Sequence, residues 1–327
     1  MHISHPSRYS ASFVALAALL SIHTLAFAQI GPPLLVKPWP EKNEVYDGRV
    51  DALWFNAGHT LRTNDNFHLS MYSSEGRFRI LPGNEVSPRI GYDFNFLDLH
   101  TSNPRLPNQL SEEAVAFGTG LFKRGNWIGA MTVGVGYAGD KAFGNGAGWF
   151  GTADLMLVNQ LNDEDYLGFV LDYDGHRTYA PDIPLPGFGY SHRFDPKLQA
   201  VLGLPYSAVI WKPIPHLEID GEYELLSDIR VNVGYEFIRK WSAYGMWDYS
   251  REAFHVSNLP RDHRLLFFQY RAEAGIRFEP IPQMTAGVGI GYGFDGKFRS
   301  GFDYRATRRV AEFTDEPYIR GEVTFRF

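Results

Sequence analysis

Four acidic residues occupy every second position in one short stretch: Glu218, Asp220, Glu222 and Glu224. That spacing puts them all on one face of an extended strand. Arg230 and Glu236 continue the pattern, and Arg271, Glu273 and Arg277, then Arg320 and Glu322, repeat it toward the carboxyl end. Asp154, Asp172 and Asp248 stand at matching positions on other segments. A charged face of this kind has two uses. Around water it forms a wet lumen whose acidic wall biases passage by charge, as charged rings do in channels. Packed face to face, the Arg and carboxylate groups instead neutralise one another and fill the space, because lone charges in low dielectric are costly. The interleaving of signs leaves both readings open.

Catalytic constellations are thin. His255, Ser257, Asn258, Asp262 and His263 crowd one short stretch, but a nucleophile and its base need fixed geometry, not sequence proximity. The chain carries no G-x-S-x-G, H-E-x-x-H, P-loop or dinucleotide fingerprint. Asp140, Asp174 and Asp295 sit beside glycines at spacings that match no calcium loop. The reading names no catalytic residue, no metal ligand and no cofactor.

The elements that carry the charged positions are strands. Opposite Glu218–Glu224 stand Leu217, Ile219, Gly221, Tyr223 and Leu225. Opposite Arg230 and Glu236 stand Ile229, Val231, Val233, Tyr235 and Phe237. Leu266, Phe268, Tyr270, Ala272, Ala274, Ile276 and Phe278 oppose Gln269, Arg271, Glu273, Gly275 and Arg277. Met284 to Phe294 sets apolar residues against Thr285 and glycines. The last stretch, Tyr318 to Phe327, alternates without exception and ends on an aromatic residue, with Phe325 and Phe327 on its apolar side. Termini normally fray into water. An apolar, aromatic-tipped terminal strand is what a transmembrane β-barrel requires, since that strand must close on the first with one face in lipid. A Lys or Arg on that face would cost about 2–4 kcal/mol near mid-membrane, and the apolar sets carry almost none. Aromatics near strand ends (Trp127, Tyr137, Trp149, Trp211, Trp241, Tyr249, Phe278, Phe327) suit interfacial girdles.

Loop lengths supply an independent test. With the last strand descending to the periplasm, the turns assigned to that side, Arg124–Asn126, Gln160–Asp165, Asp195–Lys197, Pro213–His216, Arg239–Lys240 and Glu279–Pro282, are short. Thr101–Ala114, Ala138–Gly148, Gly175–Gly187, Ser250–Arg264 and Asp295–Pro317 fall on the other side and are longer, as outer-membrane barrels require. The predicted fold is all-β: an antiparallel transmembrane β-barrel of about fourteen strands, with twelve as the alternative if a hairpin in the proline-interrupted stretch 188–212 lies outside the membrane.

The amino terminus fits export. Arg8 lies in a polar stretch, Phe13–Phe27 is apolar, and Ala26-Phe27-Ala28 supplies a small-x-small site, predicting a signal peptide over 1–28 cleaved after Ala28. Beyond it no run reaches eighteen apolar residues, so spanning helices are excluded. Residues 29–85 open with prolines and read as a periplasmic extension, with short strands at Val50–Asn56 and Phe67–Tyr72. The barrel occupies 86–327. Aromatic content of 15%, 33 glycines and no cysteine fit this class, and a net charge of −6 argues against a nucleic-acid partner.

Leu185-Pro186-Gly187-Phe188-Gly189-Tyr190, the run Ala200–Lys212 (with Leu202-Gly203-x-Pro205-x-Ser207 and Trp211) and the hairpin Leu217–Phe237 carry a resemblance. Together with the rest of residues 180–327, they resemble an uncharacterised, planctomycete-type family of bacterial outer-membrane β-barrels. The resemblance implies the fold and compartment and transfers no catalytic or binding residue.

The expectation is thus a bacterial outer-membrane barrel giving porin-like passive passage or small-ligand binding through a charged lumen. Its expected lining is Glu218, Asp220, Glu222, Glu224, Arg230, Glu236, Arg271, Glu273, Arg277, Arg320 and Glu322. The alternatives are a non-conducting structural or adhesive barrel acting through its outer loops and, less favoured, a barrel hydrolase. Expected partners are outer-membrane lipid, the barrel-assembly machinery (reading Phe325 and Phe327) and small solutes.

Overall fold

A computed structural model describes Leu34 and residues 44–81, 87–144, 146–224 and 228–327. The expected signal peptide and its cleavage site lie outside these residues. The strands, in chain order, are β1 (Tyr46–Phe55), β2 (Gly58–His59), β3 (Asn66–Arg79), β4 (Arg89–Thr101), β5 (Gln109–Arg124), β6 (Trp127–Gly139), β7 (Trp149–Gln160), β8 (Asp165–Asp174) and β9 (Leu185–Asp195). They continue as β10 (Leu198–Leu204), β11 (Tyr206–Trp211), β12 (Leu217–Glu224), β13 (Asp228–Ile238), β14 (Trp241–Phe254), β15 (Arg264–Ile281), β16 (Met284–Gly301), β17 (Thr307–Glu312) and β18 (Glu316–Arg326). All lie in one sheet. The short β2 continues β1 upward along β3, and β17 continues β18 along β16, so the ring has sixteen staves.

The ring closes where β1 meets β18 antiparallel, from Asp47↔Arg326 to Phe55↔Tyr318. The amide of Tyr46 donates to the Phe327 carbonyl (3.0 Å), the Phe327 amide donates back (2.9 Å), and their rings stack at 5.8 Å. Closure leaves no edge strand to aggregate. Phe327 lies at the seam.

Side chains are distributed inside out. Exposed outward positions include Val50, Trp54, Val133, Val135, Leu155, Phe169, Val231, Val233 and Ile319, with Val288 and Ile290 64% and 69% exposed. Inward positions include the buried Asp47, Asp51, Arg77, Asp154, Asp220, Asp248, Glu273, Arg320 and Glu322. Leaving one large aliphatic side chain in water forgoes roughly 1.5–3 kcal/mol, so a continuous belt of them is stable only against hydrocarbon. No helix among the described residues is long and apolar enough to cross a membrane.

Sixteen staves replace the expected fourteen. The two extra are β1 and β3, which the sequence placed as short pieces of a periplasmic extension; the barrel begins at Tyr46 rather than at residue 86. Upper β1 is apolar on both faces (Leu53 and Phe55 inward, Ala52 and Trp54 outward), which erases the alternation, and upper β3 inverts it, with Phe67, Leu69 and Met71 inside and His68 and Ser70 outside. The twelve-strand alternative also fails: β10 and β11 are short, but with β9 they are paired staves of the ring.

Loop parity holds, although several long outer segments are strand. β14 runs on to Phe254, β15 starts at Arg264, and β16 reaches Gly301, carrying these staves past the apolar belt. There they enclose a core of Phe55, Phe67, Leu97, Leu99, Phe254, Phe267, Phe298 and Phe313. On their other face Ala253, Leu266 and Phe268 pack with Tyr249 and Tyr304, so Leu266 and Phe268, expected to face lipid, are covered. Tyr137, expected in a girdle, is likewise buried, against Phe143 and Trp149.

Candidate functional site: the charged lumen

The lumen has a filled half and an open half, and inward glycines mark the division. Along β16 they are occupied. A Cβ placed on Gly287, Gly289 or Gly291 would lie within 2.7 Å of Glu322, Tyr244 or Tyr318, and one on Gly293 would meet Phe55. Large side chains from neighbouring staves lie in the groove these glycines leave. Toward the short-turn ends of β8, β9 and β13 three glycines face space, whereas Gly187, farther along β9, is met by Leu204 and Pro205. A Cβ on Gly234 would meet nothing within 4 Å, and those on Gly168 and Gly189 would meet no atom closer than 3.8 Å.

The filled half is an arginine–carboxylate network. Arg320 pairs with Asp51 at 2.7 Å and approaches Glu273 at 3.6 Å. Arg49 bridges Asp51 (2.7 Å) and Glu322 (2.6 Å), and Arg277 also pairs with Glu322 while lying over the Tyr244 ring. Arg271 pairs with Asp248 at 2.5 Å, and Arg77 with Asp47 at 3.0 Å. Tyr244 donates to Glu273. Burial at this depth is tolerated because each guanidinium meets a carboxylate, Arg271 meeting both Asp248 oxygens in the forked geometry it favours.

All the charged positions expected in the lumen lie on the inward parity of their staves, but they separate into different settings. Arg271, Glu273, Arg277, Arg320 and Glu322 belong to the network. Asp220, Glu222, Glu224 and Arg230 share the inward face of β12 and β13, where Glu222 stands opposite Arg230 and both Asp220 and Glu222 are buried. Glu218 pairs with Lys212 (2.8 Å) near the rim of short turns, and Glu236 lies exposed at that rim with His216 (3.0 Å). Asp154 and Asp172 oppose each other across β7 and β8; Thr132 donates to Asp154 and Arg177 pairs with Asp172 at 2.8 Å. Sequence reasoning missed Asp47, Arg49, Asp51 and Arg77 because they sit on the two unassigned staves. The alternation of Asp47, Arg49 and Asp51 was the available signal.

A cavity of about 510 Å³ opens at the short-turn end between β11 and β14, lined by Lys212, His216, Glu218, Asp220, Asn232 and Gly234 among others. The outer end is shut. Gly139, ending β6, forms a parallel β-bridge with His255, just past β14 on the facing wall. His255 donates its amide to Ala138 (3.1 Å), Asp140 donates to the His255 carbonyl (3.3 Å), and Asp140 accepts from the Ser257 amide (3.0 Å) and hydroxyl (2.9 Å). Beside the bridge, Arg264 donates to the His176 and Arg177 carbonyls, and His176 stacks on Phe150. Burial, with the nearby Arg264 and His176, pushes the His255 imidazole down to about 4. Ser257 is thereby committed to a carboxylate rather than to an imidazole, which is not the arrangement of an activated serine.

No protein-family model matches the chain, and no curated protein matches its sequence. Among solved structures it is similar to a TodX monoaromatic hydrocarbon channel deltaS2 mutant: 9% identity, 90% of this chain and 91% of that one, TM-score 0.44. It is also similar to a bacterial polysaccharide outer membrane secretin (11%, 88% and 100%, TM-score 0.41) and to the Acinetobacter baumannii outer membrane protein Omp33 (10%, 88% and 100%, TM-score 0.37). Likenesses this loose carry no argument about the chain, whose architecture stands on its own hydrogen-bonded ring.

Proposed function

We propose that this chain is a bacterial outer-membrane β-barrel that gives small solutes porin-like passive passage, or a binding place, through the open half of its lumen. The observation that carries the reading is the contrast between inward glycines: those of β16 are filled by side chains, whereas Gly168, Gly189 and Gly234 face space. A barrel serving only as a scaffold gains nothing from leaving these inward positions bare. The aliphatic belt supports the membrane setting, and loop parity supports the orientation with short turns in the periplasm. Outer-membrane lipid and the barrel-assembly machinery are the partners this setting brings.

Planar-bilayer recording of refolded protein tests the reading. Small currents with long closures are expected, since the Gly139–His255 bridge shuts the outer mouth. Absence of current above the empty bilayer, in wild type and in a variant with the bridge released, would sink it. That bridge favours a second reading, a non-conducting barrel acting through its outer loops, and the same recording separates the two.

A further inference from the structure

The hairpin β10–β11 makes a low stretch in the wall. Its arms have seven and six residues, where β14 has fourteen. Seven residues of about 3.3 Å each, tilted by about 40°, rise roughly 18 Å, short of the roughly 25 Å apolar band of such barrels. The tip at Pro205 therefore ends within the outer leaflet. It is built for that setting, where backbone polar groups must be satisfied within the protein. Pro205 has no N–H to satisfy. The Ser207 hydroxyl accepts from the Gly203 amide and donates to the Gly203 carbonyl, both at 3.0 Å. Leu202 and Leu204, on the outward face of the rising arm, are 66% and 44% exposed.

Inside, an uncharged lane leads to this tip. Cross-strand register sets Met156, Val170 and Gly187 in one inward row and Val158, Gly168, Gly189 and Gly203 in the next. Met156, Val158 and Val170 are half-buried, so they keep surface toward the lumen. The first row runs into the hairpin: a Cβ on Gly187 would lie 2.5 Å from the Leu204 carbonyl oxygen and 2.7 Å from the Pro205 ring. Charges bound the lane without entering it. Asp154 and Asp172 face each other in the next row up, with Asp172 paired to Arg177, and Glu224 stands opposite Tyr206 beyond the hairpin.

We infer that small apolar solutes pass between the lumen and the outer leaflet over the β10–β11 tip. The inference rests on the lumen reading above and adds to it a sideways route and a solute class. The outer mouth is shut by the Gly139–His255 bridge, so such a solute meets the lane from the lipid side. A charged floor would have to give up its water to an apolar solute; an aliphatic floor does not.

Photolabelling of the full chain in lipid vesicles tests the route. The probe is 3-trifluoromethyl-3-phenyldiazirine dissolved in the lipid, and labelled positions are read by mass spectrometry. Outward Leu155 and Phe169 should label throughout, and inward Met156, Val158 and Val170 should label in the wild type as well. Lengthening both arms of the hairpin by one strand pleat raises the tip and should return the inward labels to background. Outward labels and heat-modifiable gel mobility should persist. Gly189→Trp, which fills the lane without adding charge, should do the same. Inward positions unlabelled in the wild type, or still labelled in either variant, overturn the route. Inward labels with a silent bilayer would overturn aqueous passage and leave the route standing; current without inward labels would do the reverse.

Discussion

Gly139 and His255 join opposite walls of the barrel by a parallel β-bridge at its outer mouth. Neighbouring staves meet along their length by construction; two strand ends meeting across the lumen require the segment after β14 to fold inward. Asp140 holds that segment through Ser257, and the aromatic core of Phe254, Phe267, Phe298 and Phe313 fills the space beside it.

Releasing the clamp should open the mouth. Asp140→Ala removes both contacts to Ser257, each worth about 1 kcal/mol or somewhat more because the acceptor is charged. Single-channel recording should then show open times lengthened several-fold at unchanged unit conductance. Open times equal to wild type would mean that the bridge does not gate passage.

Acid should loosen the same closure. Half-burial beside Arg264 pushes the His255 imidazole down to about 4 from its ordinary value of 6.5, so the folded closure favours the neutral ring. A base depressed by folding contributes stability that is complete above the unfolded value and is lost as pH falls from about 6.5 toward about 4. Arg264 and His176 oppose protonation, and Asp182 favours it. Protease nicking of segment 255–263 should rise across that window, and His255→Gln should flatten the profile.

Arg320 should be the costliest single charge to remove. Arg320→Met leaves Asp51 and Glu273 without it in a buried network, and breaking a buried pair from one side costs about 3–5 kcal/mol. Urea unfolding in lipid vesicles should reveal the loss. The double variant Arg320→Met, Asp51→Leu should recover much of it, because the stranded charge is gone.

The glycine column offers a stability contrast. Gly291→Val places a Cβ 2.3 Å from the Tyr318 ring and should cost about 1–3 kcal/mol by overpacking. Gly234→Val meets no protein atom within 4 Å, and its unfolding midpoint should stay near wild type. Equal losses in both would refute the division of the lumen into filled and open halves.

Phe327 closes the ring against Tyr46. Phe327→Ala removes the stacked ring at the seam and should slow assembly into vesicles, read as a delayed appearance of the heat-modifiable band. Assembly at the wild-type rate would remove the terminal aromatic from any part in closure.

Alternation alone determined the strand class, the inward parity of Asp220, Arg271 and Arg320, the sorting of loops by side and the terminal strand, because pleat and lipid impose a period of two on every stave that is polar on one face only. Where both faces are apolar, as in upper β1, that period vanishes, and where the faces swap, as in upper β3, it misleads, so only pairing with β18 and β4 revealed two further staves. Tertiary structure alone decided how Arg and carboxylate partners match, since Arg320 meets Asp51 across the seam, at opposite ends of the chain. It also decided which half of the lumen is filled, and that His255, one of several polar residues in an outer loop, lies folded into the mouth. Register fixes which face a residue takes; the closure of the ring fixes what it meets there.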